Sequence, residues 1–485
     1  MTASRLARRP GLPRFPRTAR GRAVAIAVAI AVAAGGVVAA AWRPARPPVL
    51  ALAGIAADPC APQRVIAVPA GARGRFLPGS SVLAEGGTIY AGPGPAARPA
   101  PALAACATAA ARASRQWLAA GAIPGAPGPE RSMAARALLD LHLLTQPDGA
   151  MVAAWHTIWR YAWPRDSSWA AVALARTGHL ADAYRILGFL RRVELPGGGW
   201  AARYWPDGSG PVRDGRPAEL DATGWVPWAV WNWFTAAGPA SPAARRELMT
   251  LWPMVSAAAA AAARSLRADG LPGPAMDYWE DSDTVTLGTA APLLAGLRSA
   301  ASLAAALGDT GQERRWAAAA ARLGAAITAR FGRYGYHRLP RDRSGADAAV
   351  TFLGPPFAAA AAPVTRAARA AQAALTLPGG GLLPGAAWPG TPGVAWTPET
   401  AMFALLRAAS GDQRGTSAIL SWLAAHRTRL GELPEQVSAS GQPVSVAPLG
   451  WTDAIVLLAL VARRHPLPVP PARPGGPVRA DEVRH

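Results

Sequence analysis

Residues 223–234 read TGWVPWAVWNWF, apolar at nearly every position and without a charge. Residues 312–331 read QERRWAAAAARLGAAITARF, with Arg, Glu and Gln on one face of a helical period. A helix that is apolar all round belongs in an interior, and an amphipathic one covers it. This contrast recurs along the chain and decides the fold class. Candidate helices run over 130–144, 166–177, 179–193, 221–236, 242–267, 285–307, 309–331, 347–358, 360–376, 398–409, 412–428 and 449–463. Every second one starts near 166, 221, 285, 347, 398 and 449, a step of 51 to 64 residues. The segments SSWAAVALA, ETAMFALLRAA and GWTDAIVLLALVA, in the helices at 166, 398 and 449, share the all-round apolar character of the one at 221. Ser241-Pro242 and Thr397-Pro398 place a cap residue before proline at a first helical position, and Gly178, Gly308 and Gly411 fall between consecutive helices. Six buried helices inside six covering ones predict an all-α fold, an (α/α)6 barrel of six helix pairs over residues 126–465. An open solenoid of helix pairs is the other arrangement; six pairs without a special capping repeat favour closure.

Of the 485 residues, 51% are apolar and 16% charged, which excludes disorder for most of the chain. Two cysteines and no period-three glycine exclude a disulfide scaffold and a collagen. The net charge of +21 would suit nucleic acid, but every basic residue is Arg, seven of them within the first 22 residues. The rest are spread along the chain and form no stripe, so no nucleic-acid partner is expected.

Residues 23–41 (AVAIAVAIAVAAGGVVAAA) are uncharged and apolar. As a helix they would span roughly 28 Å, close to the ~30 Å hydrocarbon thickness of a bilayer. The Arg-rich segment 1–22 before them predicts a cytoplasmic start, a single-pass signal anchor over 23–42, and the rest of the chain outside the cell membrane. A cleaved signal peptide is the alternative. Residues 43–58, rich in Pro and Ala, read as a linker. Residues 59–125 hold short β-like runs, RVIAVPA and SVLAEGGTIYAG, and form a short irregular or β-rich segment. Cys60 and Cys106 can make one disulfide there in an oxidising compartment, or stand as two small apolar side chains. The Pro- and Arg-rich tail 466–485 reads as disordered.

Unusual polar residues interrupt the apolar pattern at the loops leading into the inner helices. They are Trp163-Pro164-Arg165-Asp166, Glu219-Leu220-Asp221, Asp277-Tyr278-Trp279-Glu280-Asp281 and Pro434-Glu435-Gln436. If the inner helices run parallel, all four loops reach one rim. Each has a structural role open to it: Arg165-Asp166 as an ion pair or cap, Asp221 and Asp281–Asp283 as helix caps, Glu435 as a solvated loop acid. Ten of the 19 Trp lie within residues 155–233, many beside these loops. An indole offers a flat apolar face for stacking on a sugar ring, although Trp228 and Trp231, inside a helix, suit core filling. The seven His and two Cys make no metal-ligand pattern, and no phosphate loop or G-x-S-x-G elbow occurs. Two carboxylates on a Trp-lined rim suit glycosidic hydrolysis, one protonating the leaving oxygen and the other activating water.

The stretch Ile158–His179, IWRYAWPRDSSWAAVALARTGH, resembles the signature of the glucoamylase family, glycoside hydrolase family 15. In that family a Tyr-x-Trp-x-Arg-Asp-Ser run, here from Tyr161, lines the deepest sugar subsite. DYWEDS resembles the family's general-acid loop, and LPEQVSASGQPVSVAPLGWTDA its general-base loop and last inner helix. The matches are in family order and cover roughly residues 125–465. The resemblance implies an (α/α)6 barrel, Glu280 as general acid and Glu435 as general base. It implies Arg165 and Asp166 on the hydroxyls of the terminal sugar, and Trp163, Trp279 and Trp451 shaping the pocket. It further implies an inverting, exo-acting enzyme that releases glucose from an α-linked oligosaccharide or polysaccharide and needs no cofactor or metal. Asp281 stands where the family often has a second Glu. The large β-sandwich common before the barrel in bacterial members is expected to be missing or reduced. A trehalase-like α-glucoside hydrolase and a non-catalytic envelope glycan-binding protein are the competing readings.

Overall fold

A computed structural model describes residues 49–92, 101–280, 284–341 and 343–472. The expected cytoplasmic segment 1–22, the expected anchor 23–42 and Asp281 lie outside the described residues. The helices, numbered in chain order, are α1 (Pro101–Ala119), α2 (Pro129–Leu144), α3 (Pro164–Arg176), α4 (Leu180–Arg192), α5 (Ala222–Ala237), α6 (Pro242–Ser265), α7 (Leu287–Leu307), α8 (Thr310–Arg330), α9 (Ala362–Leu375), α10 (Thr397–Ala409), α11 (Gln413–Ala425) and α12 (Gly450–Ala462). A six-residue 3-10 helix, Ala348–Leu353, stands between α8 and α9.

The inner elements follow one another around a ring: α3 packs on α5, α5 on α7, α7 on the 3-10 helix, that helix on α10, α10 on α12, and α12 back on α3. The ring is closed. Each inner element carries one outer helix: α4 on α3, α6 on α5, α8 on α7, α9 on the 3-10 helix, α11 on α10 and α2 on α12. The inner helices are buried on nearly every side, as their composition requires. Gly224 and Gly296 let α5 and α7 touch backbone to backbone; a Cβ on Gly224 would lie 2.2 Å from the Pro292 carbonyl oxygen. Between the inner helices Trp169 and Trp225 meet Phe352 at ring separations of 6.0 and 4.9 Å, and Trp228 meets both indoles at 5.3 and 5.4 Å. Trp228 and Trp231 are core residues. Burying an indole removes 150–250 Å² from water, a gross gain of ~4–6 kcal/mol each. Among the described residues α7 alone is long and apolar enough to cross a membrane, and it lies in the barrel core.

Three expectations need correction. The helix expected over 347–358 is the 3-10 helix followed by Gly354-Pro355-Pro356, two prolines with no N–H to continue a helical ladder. The tail is ordered at least to residue 472, and Leu467 packs on the barrel core. The linker expected over 43–58 gives way at Leu50 to a strand, β1 (Leu50–Asp58), which pairs antiparallel with β2 (Ala61–Pro69). A three-stranded sheet follows, β3 (Arg75–Phe76), β4 (Leu83–Glu85) and β5 (Thr88–Ile89). The disulfide Cys60–Cys106 joins the end of β1 to α1.

Strand β1 also reaches the far end of the chain. With β6 (Ala395–Trp396), β7 (Gln436–Val437) and β8 (Pro443–Val446) it forms a five-stranded sheet in the order β2-β1-β8-β7-β6. Leu50 pairs with Ser445 and Leu52 with Val446, in parallel. Ser445 N donates to Val49 O and Ala447 N to Leu52 O, both at 2.9 Å. The buried Glu432 carboxylate accepts from Ile55 N at 3.0 and 3.1 Å. Gly54 is required beside it, because a Cβ there would sit 2.5 Å from a Glu432 oxygen.

Candidate active site

The loops leading into the inner ring enclose a cavity of about 220 Å³. That is below the ~300–1,000 Å³ of drug-sized sites, so it takes a small ligand or one unit of a longer one. Glu280, Glu435, Arg165, Asp166, Trp163, Trp279 and Trp451 all line it. Tyr161 does not. Its ring turns edge-on to Trp205 at 5.0 Å and stacks under the Arg203 guanidinium at 4.7 Å, behind Trp163. Asp281 is outside the described residues.

The two glutamates come from distant loops but are held by one short segment. Trp163 Nε1 donates to Glu280 Oε1 at 3.1 Å, and Trp159 Nε1, four residues earlier, donates to Glu435 Oε1 at 3.0 Å. Glu280 is part-exposed and forms an ion pair with Arg216. Its backbone has φ +55°, a left-handed conformation that costs a non-glycine residue ~1–3 kcal/mol and gathers at functional sites. Glu435 is buried. Thr397 N donates to Glu435 O at 3.0 Å, and the Thr397 hydroxyl donates to Pro434 O at 2.5 Å. Thr397 is thus the first residue of α10 and a tie to this loop, where the sequence suggested a helix cap. Glu435 N donates to Val446 O at 2.8 Å. The Ser445 hydroxyl donates to Glu435 Oε2, and Ser445 also holds a left-handed backbone, φ +68°. Burial pushes the Glu435 pKa up; the bonds from Ser445 and Trp159 pull it back.

Arg165 lies at the N-terminus of α3 after Pro164, which suits the first helical turn. Its guanidinium stacks over Trp451 at 4.8 Å. It pairs with Glu219, with Asp166 at 3.4 Å and with Asp221 at 3.6 Å. Burial opposes the Arg165 charge, but these carboxylates outweigh it and raise its pKa. The ion-pair and sugar-binding readings of Arg165 are therefore compatible. Asp221 stands at the cap position of α5 without a side-chain cap bond, so a simple cap does not explain it. Burial pushes Asp166 up to about 6 and Glu219 up to about 8, against the pull of Arg165.

The sequence reading missed several members. Trp388, Trp396, Arg203, Arg216 and Glu399 also line the cavity. Trp388 lies edge-on to Trp279 and to Trp396, each at 5.0 Å, and Arg338 stacks on Trp279 at 3.6 Å. Arg338 in turn holds Asp277 at 2.8 Å and Asp347 at 3.4 Å. Among the described residues, Asp166 Oδ2, Glu399 Oε2 and the indole nitrogens of Trp279, Trp388 and Trp451 have no hydrogen-bond partner although buried. Buried polar atoms left unpaired are costly, and these five lie on the wall of one cavity, beside others elsewhere in the fold. No group of three or more His, Cys, Asp or Glu among the described residues is placed to hold a metal ion.

Solved structures place this architecture. A wild-type glycosidase superposes with a TM-score of 0.58 and 23% identity, over 69% of this chain and 97% of its own. A bacterial glucoamylase complexed with acarbose gives 0.59 and 15%, over 74% of this chain and 59% of its own. The glucoamylase of Saccharomycopsis fibuligera gives 0.55 and 14%, over 69% and 94%. The fold is that of the glucoamylases. The expected (α/α)6 ring is thus a glucoamylase-like barrel, and its cavity opens where the inner-helix N-termini converge. Among curated sequences, an uncharacterized glycosyl hydrolase of Methanocaldococcus jannaschii is 27% identical over 188 residues. That alignment spans 38% of this chain and 29% of the relative. No family model matches.

Proposed function

We propose that this protein is an inverting, exo-acting glycoside hydrolase that releases glucose from α-glucosides or α-glucans. The observation that carries the reading is the pair Glu280 and Glu435, facing one small Trp-lined cavity and each held by an indole N–H from the segment Trp159–Trp163. Glu280 gives its proton to the glycosidic oxygen as the C1–O bond breaks. Glu435 takes a proton from the water whose oxygen bonds C1 on the opposite face. Arg216 holds the Glu280 carboxylate at the edge of the cavity through their ion pair. Arg165, Asp166, Trp163, Trp279 and Trp451 bind and shape the terminal sugar. The cavity's small volume favours end-on attack on an oligosaccharide or polysaccharide. The fold neighbours support the class: one glycosidase variant carries glucose and the bacterial glucoamylase carries acarbose. The apolar run 23–42 behind its Arg-rich flank supports anchorage in the cell membrane with the barrel outside.

Glucose release from maltose, isomaltose, soluble starch and trehalose tests the activity. Proton NMR of the first product distinguishes inversion, which gives β-glucose, from retention. Absence of hydrolysis on the whole panel would overturn the reading, and turnover of trehalose alone would replace it with a trehalase. The Glu435 environment gives a second expectation. Ser445→Ala removes a bond that favours the carboxylate, so the acidic limb of the kcat/KM profile moves to higher pH. A limb that stays in place would remove Glu435 from the role of base.

A further inference from the structure

We propose that Glu399, in the first turn of α10, is a specificity-determining residue whose carboxyl binds a hydroxyl of the sugar held in the cavity. The inference rests on the reading of the cavity as a sugar site and adds a member to it. Glu399 is only 3% exposed, lines the cavity, and its Oε2 has no partner among the described residues. Its carboxyl bonds back to its own backbone N–H in the first turn, which leaves Oε2 unused; helix α10 has no side-chain cap bond, and among the described residues no salt bridge reaches this carboxyl as Arg165 reaches Glu219. A carboxyl in an apolar helix is destabilising in the empty protein and persists where a ligand satisfies it.

The surroundings set the form in which it acts. Glu435 faces Glu399 from the base loop and Asp347 from before the 3-10 helix, while Arg165 faces it from α3. Burial, with Glu435 and Asp347 adding to it and the bond to its own backbone N–H and Arg165 opposing, pushes its pKa up to about 8. Near neutral pH the group is a carboxylic acid, able to donate as well as accept. Asp166, whose Oδ2 makes an ion pair to Arg165 but no hydrogen bond, is the second acidic contact. The two carboxyls differ in environment, so they can select different hydroxyls of one ring.

The test compares Glu399→Gln, a neutral polar isostere, with Glu399→Met, an apolar one of similar reach. Calorimetric binding of D-glucose and of its 4-deoxy and 6-deoxy analogues is measured beside the melting temperature. Glu399→Gln keeps glucose affinity within ~3-fold, and Glu399→Met loses ~10–100-fold, the cost of one unpaired buried hydroxyl. Glu399→Met also loses wild-type discrimination against one deoxy analogue, and its ligand-free melting temperature rises. A structural role reverses the last sign. A lower melting temperature or an unfolded Glu399→Met protein, or wild-type affinity in it, overturns the proposal. Sugar binding by the wild type without hydrolysis would remove the hydrolase reading alone; no sugar binding at all would remove both.

Discussion

Glu280→Gln and Glu435→Gln each lower kcat for glucose release by ~10²–10⁴-fold, the usual contribution of one positioned acid or base. Neither change unfolds the barrel, since each removes a charge and keeps the shape and the indole contact to Oε1. The two variants part on an activated substrate. An α-glucoside whose leaving group needs no proton, such as a 4-nitrophenyl glucoside, restores much of the rate to Glu280→Gln. It does nothing for Glu435→Gln, which still has to activate water. Equal rescue of both would exchange or abolish the assigned roles, and undiminished rates on maltose in either would end them.

Arg165→Ala strikes stability as well as binding. Three carboxylates, Asp166, Glu219 and Asp221, surround this one guanidinium, all buried. Removing one partner of a buried ion pair costs ~3–5 kcal/mol, because the remaining charge has no compensation. The deficit depends on pH. Asp166 and Asp221 sit at about 6 and Glu219 at about 8, above their ordinary 3.8 and 4.5. The folded protein holds these protons after the unfolded chain has released them, so stability falls as pH rises through that window. Without Arg165 the folded values climb further, and the loss in melting temperature widens from about pH 5 to about pH 8. A melting temperature equal to wild type at the higher pH would assign Arg165 to the sugar alone.

Much of this was legible in the chain, for identifiable reasons. The inner helices announce themselves because burial on all sides leaves no polar face to conceal the pattern. Arg165-Asp166, Glu280 and Glu435 stand out because each lies in a short polar run with Trp or Pro that interrupts an apolar pattern. Glu399 escaped because ETAMFALLRAA reads as one more apolar segment, and a single acid in a first helical turn is ordinary. Strand β1 escaped because LALAGIAAD, rich in Ala, resembles the spacer before it. Its partner β8 lies near the other end of the sequence, and no local pattern carries that pairing. Tyr161 stands beside Trp163 rather than on the cavity wall, because a motif fixes spacing, while the ring direction depends on Arg203 and Trp205.

The bond from Ser445 to Val49 has a consequence for biogenesis. During synthesis residue 49 must wait for residue 445 before the Glu435 end of the cavity can assemble, and such distant pairings close late. A nascent or clipped chain can therefore collapse into much of the barrel and still lack a competent centre. Hydrolytic power then arrives only with the finished polypeptide.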